Sequence, residues 1–487
     1  MTAIENKKSV SKWIHVMIAL LITFSFGSIP APEPITHMGM QVMGVFFGML
    51  WGWCFTGDMI WPSILGIVAL GMTEYTNISG SLTAFFGNTT TQQMLICMIY
   101  FGYMDKCGLS SSLARWIFTK KFINGRPWVL AISLAIVEVI LASLVSLVVT
   151  ILIVWQIFSA ACEELGYEKG EDYPAFVMIG TLLAGSFGSM LLPFRGGGLL
   201  LTGLIRSGSG LEIPMVQYFL TVDVVIALLI TLYFVVAKFW IKPDTSKFMA
   251  KCDYFDKIRK ENVSLFTEEQ KPQIISLIVF TIALFAVGLW PKTWPFYEIL
   301  ANLGIQGCVS LLIMFLIIIE GQDGKPELNF SNSFFKGVHW DMVLLLGASF
   351  PVADAIKSND CGLVAFATQT LTPLLQGLGF VPFLVVSVTV LCVASQFAHN
   401  LILQMVFVPL TCPIVVAAGF NPIVSSIVIY FGCNFAYFTP GASMIGAMYF
   451  GSEWIPNKNI YKWLLPFVVI GSLALIAYMM LADFLFI

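Results

Sequence analysis

Charge is scarce in this chain: Asp, Glu, Lys and Arg make up only 11% of its 487 residues, against 58% hydrophobic and 14% aromatic residues. That scarcity excludes a soluble chain, and no nucleic-acid partner is expected. Histidine is scarcer still, with only His15, His37, His339 and His399 present. No H-E-x-x-H signature and no pairing of a nucleophile with a base accompanies them, so an intramembrane protease or acyltransferase finds no support. The ten cysteines are scattered through apolar stretches without a C-x-x-C or a spacing that suits a metal, and read as small core residues. No cofactor is expected. No polar stretch is long enough for a soluble domain. No small-residue cleavage site follows the first apolar run at Trp13, which is read as a retained signal-anchor helix.

Apolar runs able to cross a ~30 Å hydrocarbon core recur from Trp13 to Leu485. Spans are expected near 13–29, 38–56, 59–75 and 91–105, in a long block at 127–162, then near 174–194 and 215–237. A second set is expected near 273–290, 297–319 and 340–356, in a long block at 381–418, then near 422–440 and 463–485. Of the 25 Lys and Arg, 21 fall in loops on the side of the N-terminus. Only Arg195, Arg206, Lys292 and Lys357 fall on the other. Cytoplasmic loops carry such an excess, so a multi-pass protein of the cell (inner) membrane is expected, with a cytoplasmic N-terminus and an exterior C-terminus. Each long block returns to its starting side whether it is a re-entrant hairpin or two full spans, and charge leaves both models open.

A charge-balanced stretch at 238–272 reads as a solvated cytoplasmic linker. The sequence on either side of it matches in order: DKCGL at Asp105 against NDCGL at Asn359, LAS at Leu141 against VAS at Val393, and YP at Tyr173 against NP at Asn421. A single transporter unit is therefore expected, with an N-terminal helix and turn at 1–37, one repeat at 38–237 and a second at 273–487. The loops 106–126 and 357–380 fall on opposite sides, so the repeats are inverted, as in alternating-access carriers.

Each long block carries polar residues where hydrocarbon is expected. Ser143, Ser146 and Thr150 line one stripe of a helix in the first. Ser395, Gln396, His399, Asn400 and Gln404 crowd the second, where unpartnered amides and imidazoles cost several kcal/mol each and so should face a cavity or one another. After each block comes a broken stretch, GSFGSMLLPFRGGG from Gly185 and NFAYFTPGAS from Asn434, in which proline and glycine interrupt the helix. Such breaks free carbonyls for cations and helix N-termini for anions. Glu138, about one turn before Ser143, is a candidate proton-coupling group. Arg195 is a candidate for holding a carboxylate in its planar fork.

At these residues the chain resembles the divalent anion/sodium symporter family, with its bacterial di- and tricarboxylate carriers, within the ion transporter superfamily. The resemblance runs over nearly the whole length. It includes the proline-rich turn from Ile29 to Pro34, CGLSSSLARWIFTKKF after Lys106, HWDMVLLLGASFPVADAIKSNDCGL from His339, and both hairpin-and-break units. SQFAHNL keeps Ser395 and Asn400 of the family's SEFASNT pattern, with His399 and Leu401 in place of the tip Ser and Thr. In the first unit Ser143 is kept, while Leu147, Val148 and Val149 stand at the Ser-Asn-Thr positions. Thr439 and Pro440 match a Thr-Pro element, Ala442 stands where Asn is usual, and Pro193-Phe194-Arg195 replaces Pro-Pro-Asn.

The resemblance implies an all-α polytopic membrane protein of about 11 transmembrane helices and two re-entrant hairpins. It implies a homodimer and an ion-coupled secondary transporter of small organic anions, di- or tricarboxylates, driven by sodium or protons. Substrate binding is expected at His399, Asn400, Thr439, Pro440 and Arg195, and ion coupling at Ser143, Ser146, Glu138, Ser395 and Asn400. The lost first tip also keeps open an exchanger or proton-coupled permease for a bulkier or monovalent anion. A channel is a remote alternative.

Overall fold

The computed structural model describes residues 3–483 apart from 57, 105–119, 124, 145–146, 251–269, 290–292, 294 and 321–323. The described chain is helical, and its sole strand-like pairing is an isolated bridge between Glu320 and Pro326. Helices α1 (Ala3–Ser25) and α2 (His37–Thr56) form an antiparallel pair. Gly48 lets them touch: a Cβ there would lie 1.9 Å from Thr23 Oγ1, the small-residue contact that holds helices together where lipid supplies no hydrophobic drive. Next come α3 (Ile60–Leu70), α4 (Ile78–Gly87) and α5 (Thr89–Met104).

Two units of the same build follow, separated by other helices. In the first, α6 (Pro127–Leu144) and α7 (Leu147–Glu164) make a hairpin, and α8 (Asp172–Gly188) and α9 (Gly196–Ser209) make a broken helix. Then come α10 (Met215–Ile241), which carries two π-type turns, and α11 (Lys271–Leu289), α12 (Tyr297–Ile318), α13 (Phe330–Gly337), α14 (Trp340–Lys357) and α15 (Leu363–Leu378). The second unit pairs α16 (Phe380–Ala394) with α17 (Asn400–Ala417) as its hairpin, and α18 (Pro422–Asn434) with α19 (Met444–Gly451) as its broken helix. Helix α20 (Asn457–Ala482) follows.

Among the described residues five helices, α2, α6, α10, α17 and α20, are long and apolar enough to cross a membrane by length and composition. The expected spans meet observed helices. The expectation omits α4, α9, α13, α15 and α19, because short or glycine-led helices leave no long apolar window. Helix α1 also starts well before the apolar run, since the helix-forming stretch AIENKKSVSK continues it into polar sequence.

The first halves of the broken helices form the centre of the molecule. Every residue of α8 from Tyr173 to Gly188 is buried, and so is every residue of α18, as expected of helices apolar all round. Their polar neighbours are satisfied across elements: Tyr233 donates to the Phe176 carbonyl at 2.9 Å, Tyr449 to that of Ile179 at 3.1 Å, and Trp155 Nε1 to Thr181 Oγ1 at 3.1 Å. Tyr449 lies on α19, so the second unit is tied to the core of the first. Outside the spans, Lys169 pairs with Glu453, and its hydrogen bond holds the Glu453 carboxyl below the usual glutamate range.

Candidate functional site

In each unit described residues beside the hairpin tip bond to the break, the contact a re-entrant hairpin would make. In the first unit Arg195 Nη1 donates to the Ser143 carbonyl at 2.7 Å. In the second the bonds are denser. The Asn400 amide donates to the Ala442 carbonyl at 3.1 Å, the Thr439 hydroxyl to the Gln396 carbonyl at 2.5 Å, and the Phe438 amide to Gln396 Oε1 at 2.9 Å.

Between the two tips and the two breaks lies a cavity of about 300 Å³. Four helices begin at its wall: α7 with Leu147 and Val148, α17 with Asn400 and Leu401, α9 with Gly196 and Gly197, and α19 with Met444 and Ile445. These are the return arms of both hairpins and the second halves of both broken helices. A helix N-terminus carries roughly half a positive charge, so four such ends on one cavity favour an anion there, even though the Gly197, Asn400, Leu401 and Gly446 amides are bonded within the protein.

Arg195 lines this cavity and caps the start of α9 without a side-chain cap bond. Its guanidinium lies 3.9 Å from the centroid of the Phe101 ring, a stacking that orients the planar fork. His399 also lines the cavity, at the N-cap of α17, where its Nδ1 accepts from the Leu401 amide at 3.3 Å. Asn400 donates to Asn434 Oδ1 at 3.2 Å, and Asn434 in turn donates to the Tyr430 carbonyl at 3.0 Å. Gln404 donates to the same carbonyl at 3.4 Å, and the Tyr430 hydroxyl donates to Gly197 O at 2.8 Å. This chain of bonds joins the second tip to the first broken helix.

The expected site residues therefore divide. Arg195, His399 and Asn400 meet in the cavity. Thr439 and Pro440 do not line it: the Thr439 hydroxyl is committed to Gln396, and Pro440 is exposed. Ser395 is fully buried outside the lining, its hydroxyl donating to the Cys392 carbonyl at 2.9 Å. Ser143 likewise donates back to Ile140 O at 2.8 Å, the local bonding common for membrane serines. Ser146 lies outside the described residues. The sequence left Tyr430, Asn434, Ser186, Ser189, Ser443, His339 and Asp341 without a place in the site, and all of them line the cavity. Tyr430 and Asn434 lie one helical turn apart just before the second break, but on a helix buried all round that spacing does not tell a lining residue from a core one.

Glu138 sits one layer behind. It is fully buried on α6, its Oε1 accepts from Thr150 Oγ1 on α7 at 2.6 Å, and its Oε2 has no hydrogen-bond partner among the described residues. Gly185 of α8 closes the third side. A Cβ on Gly185 would lie 2.6 Å from Leu147 Cδ1 and 2.9 Å from both Cγ and Oε1 of Glu138. Gly185→Ala is therefore expected to destabilise the protein by about 1–3 kcal/mol, measurable as a fall in thermal stability of the purified protein. An unchanged midpoint would show that the Glu138 pocket yields freely. Among the described residues no three His, Cys, Asp or Glu side chains cluster as a metal site needs.

The model of a family described as citrate transporter, CitMHS, matches residues 49–394. The chain is 23% identical over 200 residues to a Caenorhabditis elegans protein described as uncharacterized transporter B0285.6, covering 37% of this chain. It spans about a third of that relative's length, 34%. Among solved structures it is similar to the YdaH transporter of Alcanivorax borkumensis, with a TM-score of 0.56 at 13% identity over 98% of this chain and 97% of that one. At that identity the likeness is one of fold.

Proposed function

The chain belongs to the citrate transporter family CitMHS, and from that premise we propose that it is a secondary carrier which moves small organic anions across a cell membrane by alternating access, coupled to a cation. The convergence of four helix N-termini and Arg195 on one cavity carries the reading, because it supplies a desolvated anion with fixed positive charge while leaving the anion exchangeable. Motion of the two hairpin-and-break units against the remaining helices would open the cavity to each side in turn. Di- and tricarboxylates are the substrates suggested by the resemblance. A second reading, a bulkier or monovalent anion, is favoured by Leu147 and Val148 on the cavity wall.

The coupling ion is proposed to be a proton carried by Glu138. A charged carboxylate there would be buried with one oxygen unpaired, and taking up a proton removes that cost. The site is close enough to report on the cavity: Gly185, against Glu138, precedes the cavity-lining Ser186. Uptake of labelled carboxylates into proteoliposomes under imposed proton or sodium gradients tests both statements. With Glu138→Gln, accumulation driven by a proton gradient is expected to fall at least about tenfold while exchange across symmetric membranes continues. Sodium-driven uptake that Glu138→Gln leaves intact would refute proton coupling, and absence of any carboxylate flux would refute the carrier.

A further inference from the structure

We propose that this cavity selects an organic monocarboxylate with an apolar body, such as an arylacetate or a branched-chain acid, over a di- or tricarboxylate. The inference rests on reading the cavity as the transport site and deepens that reading. Its ground is the unequal chemistry of two matched positions. Where the second unit presents Asn400 at the start of α17, the first presents Leu147 and Val148 at the start of α7. The symmetric half of the polar hold is thus replaced by hydrocarbon.

The rest of the wall agrees. Phe101, Met342, Leu345 and Met405 line it together with Leu147 and Val148. Thioethers and an aromatic ring make a soft, polarisable surface that suits a flat or branched apolar group. Apart from Cys97 and Tyr430, the ionisable lining residues are Arg195, His339, Asp341 and His399. Arg195, beside the start of α9, matches one carboxylate. A second carboxylate would find no second Arg or Lys in the lining: toward the first tip it meets hydrocarbon, where it loses its hydration without a partner, Asp341 repels it, and Asn400, the two histidines and the other helix N-termini are what remain to hold it. A volume of about 300 Å³ lies at the small end of ligand pockets, about 300–1,000 Å³, and so leaves little room for the hydration shell of a further charge. An apolar body turned toward Phe101 and the methionines with its carboxylate at Arg195 matches the apolar wall and the one guanidinium of the cavity.

The test is binding by calorimetry and uptake in proteoliposomes with the full wild-type chain, using phenylacetate, 3-methylbutanoate, succinate and citrate. Phenylacetate and 3-methylbutanoate are expected to bind at least about tenfold more tightly than succinate and citrate. The double variant Leu147→Ser with Val148→Asn is expected to narrow or reverse that ratio, mainly by improving succinate. Succinate or citrate binding more tightly than the monocarboxylates in wild type overturns this inference and leaves the carboxylate carrier standing. No binding or uptake of any of the four overturns both. Because the wild-type ratio decides the inference alone, poor folding of the double variant does not rescue it.

Discussion

Arg195→Ala is expected to weaken carboxylate binding by roughly 100-fold, equivalent to about 3 kcal/mol, and Arg195→Lys to recover only part of that loss. The guanidinium acts in two capacities. It faces the cavity as the side chain best suited to pair with a carboxylate, and it donates to the Ser143 carbonyl at 2.7 Å while stacking on Phe101. Alanine removes both functions. Lysine restores a point charge but not the planar fork, so it cannot bond Ser143 and a carboxylate in one fixed geometry. Titrating phenylacetate and citrate into the wild type and both variants, with ligand-free thermal stability measured alongside, separates the two. A fall in affinity at nearly unchanged stability assigns the effect to the ligand, and a fall in stability of the alanine variant assigns it to the anchoring of the first tip. Affinities within about twofold of wild type in Arg195→Ala would remove the residue from the site, since so small a change is well under 1 kcal/mol.

Much of the architecture was legible because membrane burial leaves a coarse signature. Long apolar windows marked most spans, and the polar residues at Ser143 and from Ser395 to Gln404 marked both hairpins. The proline and glycine at Pro193 and Pro440 marked both breaks. Helices α9 and α19 were not legible: the first opens on Gly196, Gly197 and Gly198, and the second is eight residues long directly after a break. Neither offers a long apolar period. Membership of the cavity was harder still. Helix α18 is buried on every side, so no periodicity shows which of its faces meets a ligand, and Tyr430 and Asn434 stay indistinguishable from core residues until α17 is laid against them. Thr439 and Pro440 show the converse. Their motif marks the break correctly, yet what it does in this fold is fasten the tip, through a hydroxyl bonded to Gln396.

Gln396→Met is expected to loosen the tip from the break while leaving the Thr439 bond to the Gln396 main-chain carbonyl in place, with a local loss on the order of 2–4 kcal/mol and at least a tenfold fall in uptake. The Gln396 amide nitrogen donates to Cys392 O at 2.6 Å and Phe435 O at 3.0 Å, and its oxygen accepts from the Phe438 amide at 2.9 Å. One side chain thus satisfies backbone groups on both the hairpin and the break, in a setting where no lipid can replace them. Methionine keeps the length and the volume but offers the Phe438 N–H no comparable acceptor and the Phe435 carbonyl no donor. Hydrogen exchange should therefore show the Phe438 amide losing protection while amides in the middle of α18 keep theirs. The consequence reaches the transport cycle. As long as Gln396 holds tip to break, the second hairpin cannot swing away from α18 and α19, so any opening of the cavity on that side must move them together as one body. If the methionine variant keeps both the Phe438 protection and the uptake rate, the Asn400 to Ala442 bond and the Thr439 bond to the Gln396 main-chain carbonyl are enough to hold the tip, and a hinge within the tip itself becomes the simpler account of how the cavity opens.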